Sequence, residues 1–227
     1  MPEPISSCNS HGKHPNMNHL VLLGDSIFDN RRYVEGGPAV IDQVSQRMPL
    51  GWKASLLAVD GDTSTMALKQ LPKVPPHTTH LVLSVGGNDA LGCIPGLETA
   101  AASVKQGLGW LNKVQTEFRT NYQALTAALL ALNKPLMVCT VYDSVPGMPK
   151  ELGTALGLFN DVILKEAIQQ GMPVLDLRLI CTEPDDYSKV SPIEPSSAGG
   201  AKVAESMVRA ITQHDFSQRM CRVYGQV

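Results

Sequence analysis

Three short polar motifs carry groups that together could perform acyl transfer. Ser26 lies in Gly24-Asp25-Ser26 directly after an apolar run, Gly61 follows a second run, and Asn88 follows a third in Gly86-Gly87-Asn88-Asp89. A serine hydroxyl is a nucleophile, and glycine and carboxamide N–H groups can stabilise an oxyanion. Each motif alone is weak, because GDS occurs by chance and GGND also makes a good turn. Their placement, one after each predicted strand, favours a nucleophile with an oxyanion hole.

These motifs must be positioned by alternating strands and helices. Five nearly continuous apolar runs predict strands buried on both faces, as in a parallel sheet. Apolar residues spaced by three or four predict helices between them. The predicted strands are 19–24, 53–59, 79–85, 134–141 and 172–177, and the predicted helices are 104–132, 152–167 and 203–211, the last with Ser196 or Ser197 as N-cap. This alternation predicts a doubly wound α/β fold, whose ligands bind beyond the carboxyl ends of the strands.

The motifs resemble those of the SGNH hydrolases, also called GDSL esterases/lipases. The resemblance spans residues 19–213 and is carried by Gly24-Asp25-Ser26-Ile27-Phe28-Asp29-Asn30, Gly61, Gly86-Gly87-Asn88-Asp89 and Val174-Leu175-Asp176-Leu177-Arg178. It implies a flavodoxin-like three-layer α/β/α sandwich with a five-stranded parallel sheet. It also implies Ser26 as the nucleophile, with oxyanion donors from the N–H groups of Ser26 and Gly61 and the side chain of Asn88. Such an enzyme needs no metal or cofactor.

The last block of the family's pattern is altered in this chain. The family has D-x-x-H, then a Pro-Ser turn and a glycine that opens the last helix, whereas this chain has Ser191-Pro192-Ile193-Glu194. Alignment on the turn and on Gly199 places Ser191 at the aspartate position and Glu194 at the histidine position. A shifted register that places Glu194 on the aspartate puts Ser197 on the histidine and leaves too few residues before Gly199. The first register is therefore preferred, and the family's histidine is missing in both.

Glu194 is the candidate general base that this alignment leaves. A free glutamate has a pKa of about 4.3 and is a weak base for a serine hydroxyl at neutral pH. Burial can raise a catalytic glutamate to about 6–7, and catalysis persists without triad members where an oxyanion hole remains. Glu183, Asp185 or Asp186 on the same loop could assist. Without the family context, Glu194 would be read as a surface acid before a helix, favoured by the helix dipole.

No other histidine is expected to replace the missing one. His19, His77 and His80 precede or open predicted strands, so they are expected at the amino edge of the sheet, far from Ser26. His214 follows the last helix and is expected at the same far end. Only the N-terminal segment, with His11 and His14, could reach across. The spacing of the histidines in this segment fits no standard metal-ligand set.

Three functional hypotheses follow from these residues. The first is hydrolysis of short-chain acyl esters through an acyl-Ser26 intermediate, with Glu194 as the base. The second is a catalytically weak or inactive binding protein on the same scaffold, which the altered last block favours and the retained serine and oxyanion elements oppose. The third, a nucleotide-binding module, is disfavoured because neither Gly-x-Gly-x-x-Gly nor a P-loop lysine follows the strands. Trp52 and Trp110 are expected to be packing residues.

Length and composition narrow the class of protein further. The chain has 227 residues, 43% of them hydrophobic and a net charge of -2, which disfavours a nucleic-acid partner and a disordered chain. No apolar run approaches the length of a membrane span.

We expect a disordered tail at 1–18 and a single domain at 19–227, with a small-molecule partner. The segment before His19 has no apolar core of a signal peptide, so a cytoplasmic location is expected. Five widely spaced cysteines argue against a disulfide framework, although a Cys181–Cys221 pair stays open.

Overall fold

A computed structural model describes residues 17–226, and its centre is a six-stranded parallel sheet. The strands are β1 (Asn18–Gly24), β2 (Trp52–Leu56), β3 (His80–Ser84), β4 (Leu136–Cys139), β5 (Val174–Leu175) and β6 (Val223–Tyr224). Their order in the sheet is β2-β1-β3-β4-β5-β6. Leu20 of β1 pairs with Ala54 of β2 on one side and with His80 of β3 on the other. The chain therefore reverses its direction of winding at β1, between the first and third strands.

Seven α-helices cover the two faces of the sheet in the described part of the chain. They are α1 (Val40–Arg47), α2 (Ser64–Ala67), α3 (Gly87–Leu91), α4 (Ile94–Leu97), α5 (Val104–Leu130), α6 (Lys150–Gln170) and α7 (Ser197–Gln213). Leu20 and Leu22 of β1 share one apolar core with α1 and α7. Val21 and Leu23 of β1 share the opposite core with α5 and α6. This alternation confirms the predicted α/β/α sandwich, because neighbouring strand residues face opposite layers.

The predicted number of strands is wrong by one. A sixth strand, β6, follows α7 and pairs with β5. Val223 and Tyr224 of β6 lie opposite Val174 and Leu175 of β5. Two residues are too few to produce a recognisable apolar run, so the pattern missed this edge strand. The predicted helices are close to the observed ones, with Ser196 as the N-cap of α7. Gly107 and Gly109 lie within α5. The predicted tail at 1–18 falls largely outside the described residues, and Asn18 already belongs to β1.

The carboxyl ends of β1, β3 and β4 open toward the same edge of the sheet. Ser26, Asn88 and Tyr142 follow these three strands by two to four residues. The start of α5 overhangs this edge, because 27 residues of helix extend over roughly 40 Å whereas a five-residue strand spans roughly 17 Å.

Candidate active site

Ser26 lies on a tight turn that begins at the end of β1. Gly24 has a φ of +123°, and a Cβ at this position would lie 1.7 Å from the backbone oxygen of Ser84, so only glycine fits. The N–H of Asp25 donates to the same oxygen at 3.1 Å, and the N–H groups of Phe28 and Asp29 donate to the Asp25 carbonyl at 3.2 Å. One helical turn therefore starts at Ser26, and the N–H of Ser26 is not used in closing it.

The three oxyanion donors expected from the sequence belong to Ser26, Gly61 and Asn88. Within residues 17–226 the N–H groups of Ser26 and Gly61 donate to no protein acceptor, which leaves both able to bind a ligand oxygen. Gly61 has a φ of +87° in a turn closed by the N–H of Asp62 and the carbonyl of Val59 at 3.1 Å. The Nδ2 of Asn88 donates one hydrogen to the Asp62 carbonyl at 3.0 Å, which leaves its second hydrogen for another acceptor.

Gln70 holds two of these loops together. Its amide group bonds to both backbone groups of Gly24, at 2.9 and 2.7 Å, and its Nε2 also donates to Asp62 at 2.7 Å. Because Gln70 is 1% exposed, this clamp is protected from water. It fixes the loop that bears Gly61 against the turn that bears Ser26.

Glu194 is buried beside Ser26, although the preceding residues Pro192 and Ile193 are exposed. The residue is 4% exposed, and its burial raises the pKa of the carboxyl from 4.5 to about 7. Hydrogen bonding from the Ser26 hydroxyl opposes this shift of the pKa, while the negative charge of Asp60 adds to it. Oε2 of Glu194 has no protein partner among residues 17–226. A carboxyl with this pKa and a free oxygen can take up a proton near neutral pH.

The backbone around Glu194 is fixed at three consecutive carbonyls. The carbonyl of Ile193 accepts from the hydroxyl of Tyr142. That of Glu194 accepts from the N–H of Ser188 at 2.8 Å, and that of Pro195 accepts from Nδ2 of Asn30 at 3.1 Å. Two of the three donors, Tyr142 and Asn30, lie outside the loop that carries Glu194, so the position of this residue depends on the folded structure.

Asn30 connects the loop after Ser26 with the loop of Glu194. Its Oδ1 accepts from the N–H of Val40 at 2.9 Å while its Nδ2 bonds to Pro195. The side chain is fully buried, so both bonds compensate the burial of a polar group. The role of Tyr142 was missed, although its place shortly after β4 is a signal of the kind that located Ser26.

The surroundings of Ser26 are rich in carboxyl groups. Burial raises the pKa of Asp25 well above its usual range, and the charges of Glu194 and Asp89 act in the same direction. Burial also raises the pKa of Asp89, although the hydroxyl and N–H of Ser64 bind its two oxygens at 2.5 and 2.9 Å. This environment disfavours an additional negative charge.

The remaining candidates from the sequence lie away from Ser26. His19 begins the strand whose far end leads to Ser26, roughly 20 Å away, and it stacks on His77 at a centroid distance of 4.8 Å. His80 and His214 both pack against Phe216. This arrangement agrees with the expected amino-edge position of these histidines, whereas His11 and His14 lie outside the described residues.

The acids of the neighbouring loop have structural partners. Asp186 is paired with Lys202 at 2.7 Å, and its N–H and carbonyl bond to the backbones of Glu183 and Ser196. Ser191, at the family's aspartate position, accepts the N–H of Glu194 at 2.9 Å through its carbonyl. The Asp185 carbonyl accepts from the Ser196 hydroxyl. Glu183, Asp185, Asp186 and Ser191 do not line the cleft that holds Ser26.

An apolar cleft has Ser26, Asn88 and Glu194 in its wall. Its empty space, counted with the open mouth, is about 920 Å³. The rest of the lining comes mainly from α3, α4, the first turns of α5 and α6, and the segment after β4. Gly61 is exposed and does not line this cleft; it lies on the neighbouring loop that Asn88 contacts. The arrangement can bind an apolar group next to a serine hydroxyl, a carboxyl and a set of N–H donors.

Residues 17–226 contain no group of three or more His, Cys, Asp or Glu side chains placed to hold a metal ion. None of the helices in this range has the length and hydrophobicity of a membrane span. Cys181 and Cys221 are both free thiols in this structure.

Solved structures share this fold at low sequence identity. The lipase Lip_vut3 from a goat rumen metagenome superposes with a TM-score of 0.69 at 15% identity, covering 88% of this chain and 99% of that chain. The acetyl xylan esterase AlAXEase gives 0.64 at 17% identity, with 85% and 99% covered. The psychrotrophic esterase EstA from Pseudoalteromonas sp. gives 0.60 at 15% identity, with 86% and 97% covered. At such identities these likenesses demonstrate the fold alone.

The sequence itself identifies the family. A search among curated proteins gave no significant match. The family model described as GDSL-like Lipase/Acylhydrolase, in contrast, matches residues 22–202, which include the turn of Ser26, the loops of Gly61 and Asn88, and Glu194. The chain therefore belongs to the GDSL-like lipase/acylhydrolase family, whose members are hydrolases of the esterase and lipase type.

Proposed function

We propose that this protein is a serine carboxylic ester hydrolase in which Glu194 takes the place of the family's histidine as general base. The observation that carries the proposal is the position of Glu194, a buried carboxyl with a pKa of about 7 beside the hydroxyl of Ser26. Its pKa lies close to the pH at which a general base is most effective. The free N–H groups of Ser26 and Gly61 and the amide of Asn88 supply the donors for an oxyanion.

The first half-reaction forms an acyl-enzyme. The Glu194 carboxylate takes the proton of the Ser26 hydroxyl as Oγ attacks the ester carbonyl carbon, and the carbonyl oxygen becomes an oxyanion. When this tetrahedral intermediate collapses, the bond to the leaving oxygen breaks and the Glu194 carboxylic acid donates its proton to that oxygen. An alcohol departs and the acyl group stays on Ser26.

The second half-reaction releases the acid. Glu194, again a carboxylate, takes a proton from water as the water oxygen attacks the acyl carbon. The new intermediate collapses, the bond to Oγ breaks, and Glu194 returns its proton to Ser26. A carboxylic acid leaves, so the sum is one ester and one water converted to one alcohol and one acid without metal or cofactor.

Charge distinguishes this mechanism from one that uses histidine. A protonated histidine is a cation that stabilises the oxyanion, whereas protonated Glu194 is neutral. The negative charge of the intermediate must then be stabilised by the three N–H donors, in a site where Asp25 and Asp89 already have raised pKa values. We therefore expect lower turnover than a histidine would give and a strong dependence on Asn88.

Short-chain acyl esters are the first substrates to test. Hydrolysis of p-nitrophenyl acetate and butyrate is measured at pH 8 for the wild type, Ser26→Ala and Glu194→Gln, with Glu205→Gln on the exposed face of α7 as control. We expect loss of turnover in the first variant, a loss of at least about 100-fold in the second, and no change in the control. Turnover that survives Ser26→Ala would contradict the proposal. Binding of esters without any turnover would instead favour an inactive binding protein.

A further inference from the structure

Acidic side chains line one end of the cleft, and apolar side chains line the rest. Its acidic side chains, Asp25 and Glu194, both lie at the Ser26 end, and no Lys, Arg or His occurs among the described residues that line it. Away from Ser26 the walls are formed by aliphatic and aromatic side chains of α4, α5 and α6. A carboxylate or phosphate on a substrate would find no positive partner here and would be repelled by the existing acids. The cleft thus selects an uncharged, apolar group.

The cleft extends outward along α5, and its depth can be derived from the helix. Phe118 lies at the level of the sheet edge, because a Cβ on Gly86, shortly after β3, would lie 3.2 Å from its ring. Its ring packs on Phe159 of α6 at 4.8 Å. Trp110, the cleft residue nearest the start of α5, precedes Phe118 by eight residues, or about 12 Å along the axis.

Trp110 closes the far part of the cleft against α4. A Cβ on Gly96 would lie 2.1 Å from Cζ2 of Trp110, so the indole packs directly on the backbone of α4. This contact joins α4 to α5 at Trp110, and residues of both helices line the cleft. The sequence predicted a packing role for Trp110, and the structure adds that this residue also lines the cleft.

We infer that the cleft binds a linear, uncharged acyl chain of about eight to ten carbons and that Trp110 sets this length. With carbon–carbon bonds of about 1.5 Å, an extended chain advances roughly 1.3 Å per carbon, so about 12 Å holds nine carbons. The inference rests on the proposed function, since the acyl carbon must lie at Ser26. It changes the expected substrates from short-chain esters to medium-chain esters.

The first test is a series of p-nitrophenyl esters from acetate to palmitate with the wild type. Each buried methylene contributes roughly fourfold to binding, so kcat/KM should rise by at least about 30-fold from acetate to octanoate and fall for palmitate. A profile that is flat, or highest with acetate, overturns the inference while leaving the proposed function intact.

Two substitutions should move the preferred length in opposite directions. Trp110→Ala opens the end of the cleft and should move the optimum to chains about two to four carbons longer. Ala155→Phe, on the α6 wall, should exclude chains of eight carbons or more and move the optimum to shorter chains. Leu108→Ala is the control, because Leu108 is 60% exposed, lies on the same helix and does not line the cleft. If the two cleft variants keep the wild-type optimum, Trp110 does not set the length.

A binding measurement on a variant that cannot react distinguishes this inference from the proposed function. The Ser26→Ala variant is titrated by calorimetry with 2-butanone and 2-decanone, uncharged ketones that copy the acyl part of an ester. We expect 2-decanone to bind at least about tenfold more tightly, and Ala155→Phe in the same background to remove the difference. Equal affinity for both ketones would overturn the inference. Absence of ester turnover with tight ketone binding would overturn the proposed function only.

Discussion

Glu194→Gln is expected to make the protein more stable at pH 8 while it removes activity. The folded structure raises the pKa of Glu194 from 4.5 to about 7, so at high pH folding must hold a carboxylate where a neutral acid is preferred. A pKa raised on folding means that stability is full below about 4.5, falls as the pH rises to about 7 and is constant above it. Glutamine is neutral at every pH and avoids this loss.

The size of the effect follows from the same numbers. A pKa that rises from 4.5 to about 7 corresponds to about 3 kcal/mol between the two protonation states. The N–H donors of the glutamine amide lack defined partners in this pocket. This lowers the net gain in the free energy of unfolding to about 2 kcal/mol. For a chain of this length that gain corresponds to roughly 4–8 °C in Tm. At pH 5 the expected gain is under about 1 kcal/mol.

Urea unfolding followed by tryptophan fluorescence at pH 5 and pH 8 measures this difference. The wild type, Glu194→Gln and the exposed control Glu205→Gln are compared at both pH values. The predicted result is a gain for Glu194→Gln that is larger at pH 8 than at pH 5, with no pH-dependent gain in the control. If Glu194→Gln is destabilised equally at both pH values, the carboxyl is not held in an environment that disfavours its charge, and the reasoning fails.

Three further substitutions test the parts around Ser26. Asn88→Ala should lower kcat by about 10²–10³ with a smaller change in KM, because it removes an oxyanion donor; unchanged steady-state kinetics would exclude that role. Asn30→Ala removes the buried bonds to Val40 and Pro195, so it should lower the free energy of unfolding by about 2–3 kcal/mol, and urea titration at pH 7 checks this loss. Gly24→Ala cannot fit beside the carbonyl of Ser84 and should yield no folded protein by circular dichroism; a folded variant would show that the turn can relax.

Much of the fold could be predicted because it rests on local patterns. Continuous apolar runs identify strands buried on both faces, and β1, β3 and the long helices α5 and α6 were found in this way. The edge strand β6 was missed because two residues at the border of a sheet need little hydrophobic pattern. The short helices α3 and α4 were missed for a related reason, since a helix of four or five residues shows no complete amphipathic period.

The candidate site was predictable only in part. Ser26 and Asn88 could be placed near each other because parallel strands bring their carboxyl ends to one edge. The burial of Glu194 could not be predicted, since it depends on donors from Tyr142, Ser188 and Asn30, which are distant from one another in sequence. The cleft could not be predicted either, because it forms where the first half of α5 extends beyond the sheet and Trp110 packs on α4.

The pH dependence of ester hydrolysis tests the central claim most directly. The kcat/KM for p-nitrophenyl butyrate is measured from pH 5 to pH 9 for the wild type, with Ser26→Ala as the blank at each pH. Because Glu194 must be a carboxylate to accept the proton of Ser26, we predict that activity falls below an apparent pKa of about 7. Serine-dependent activity that stays constant down to pH 5, or that persists unchanged in Glu194→Gln, would contradict the role of Glu194 as the base.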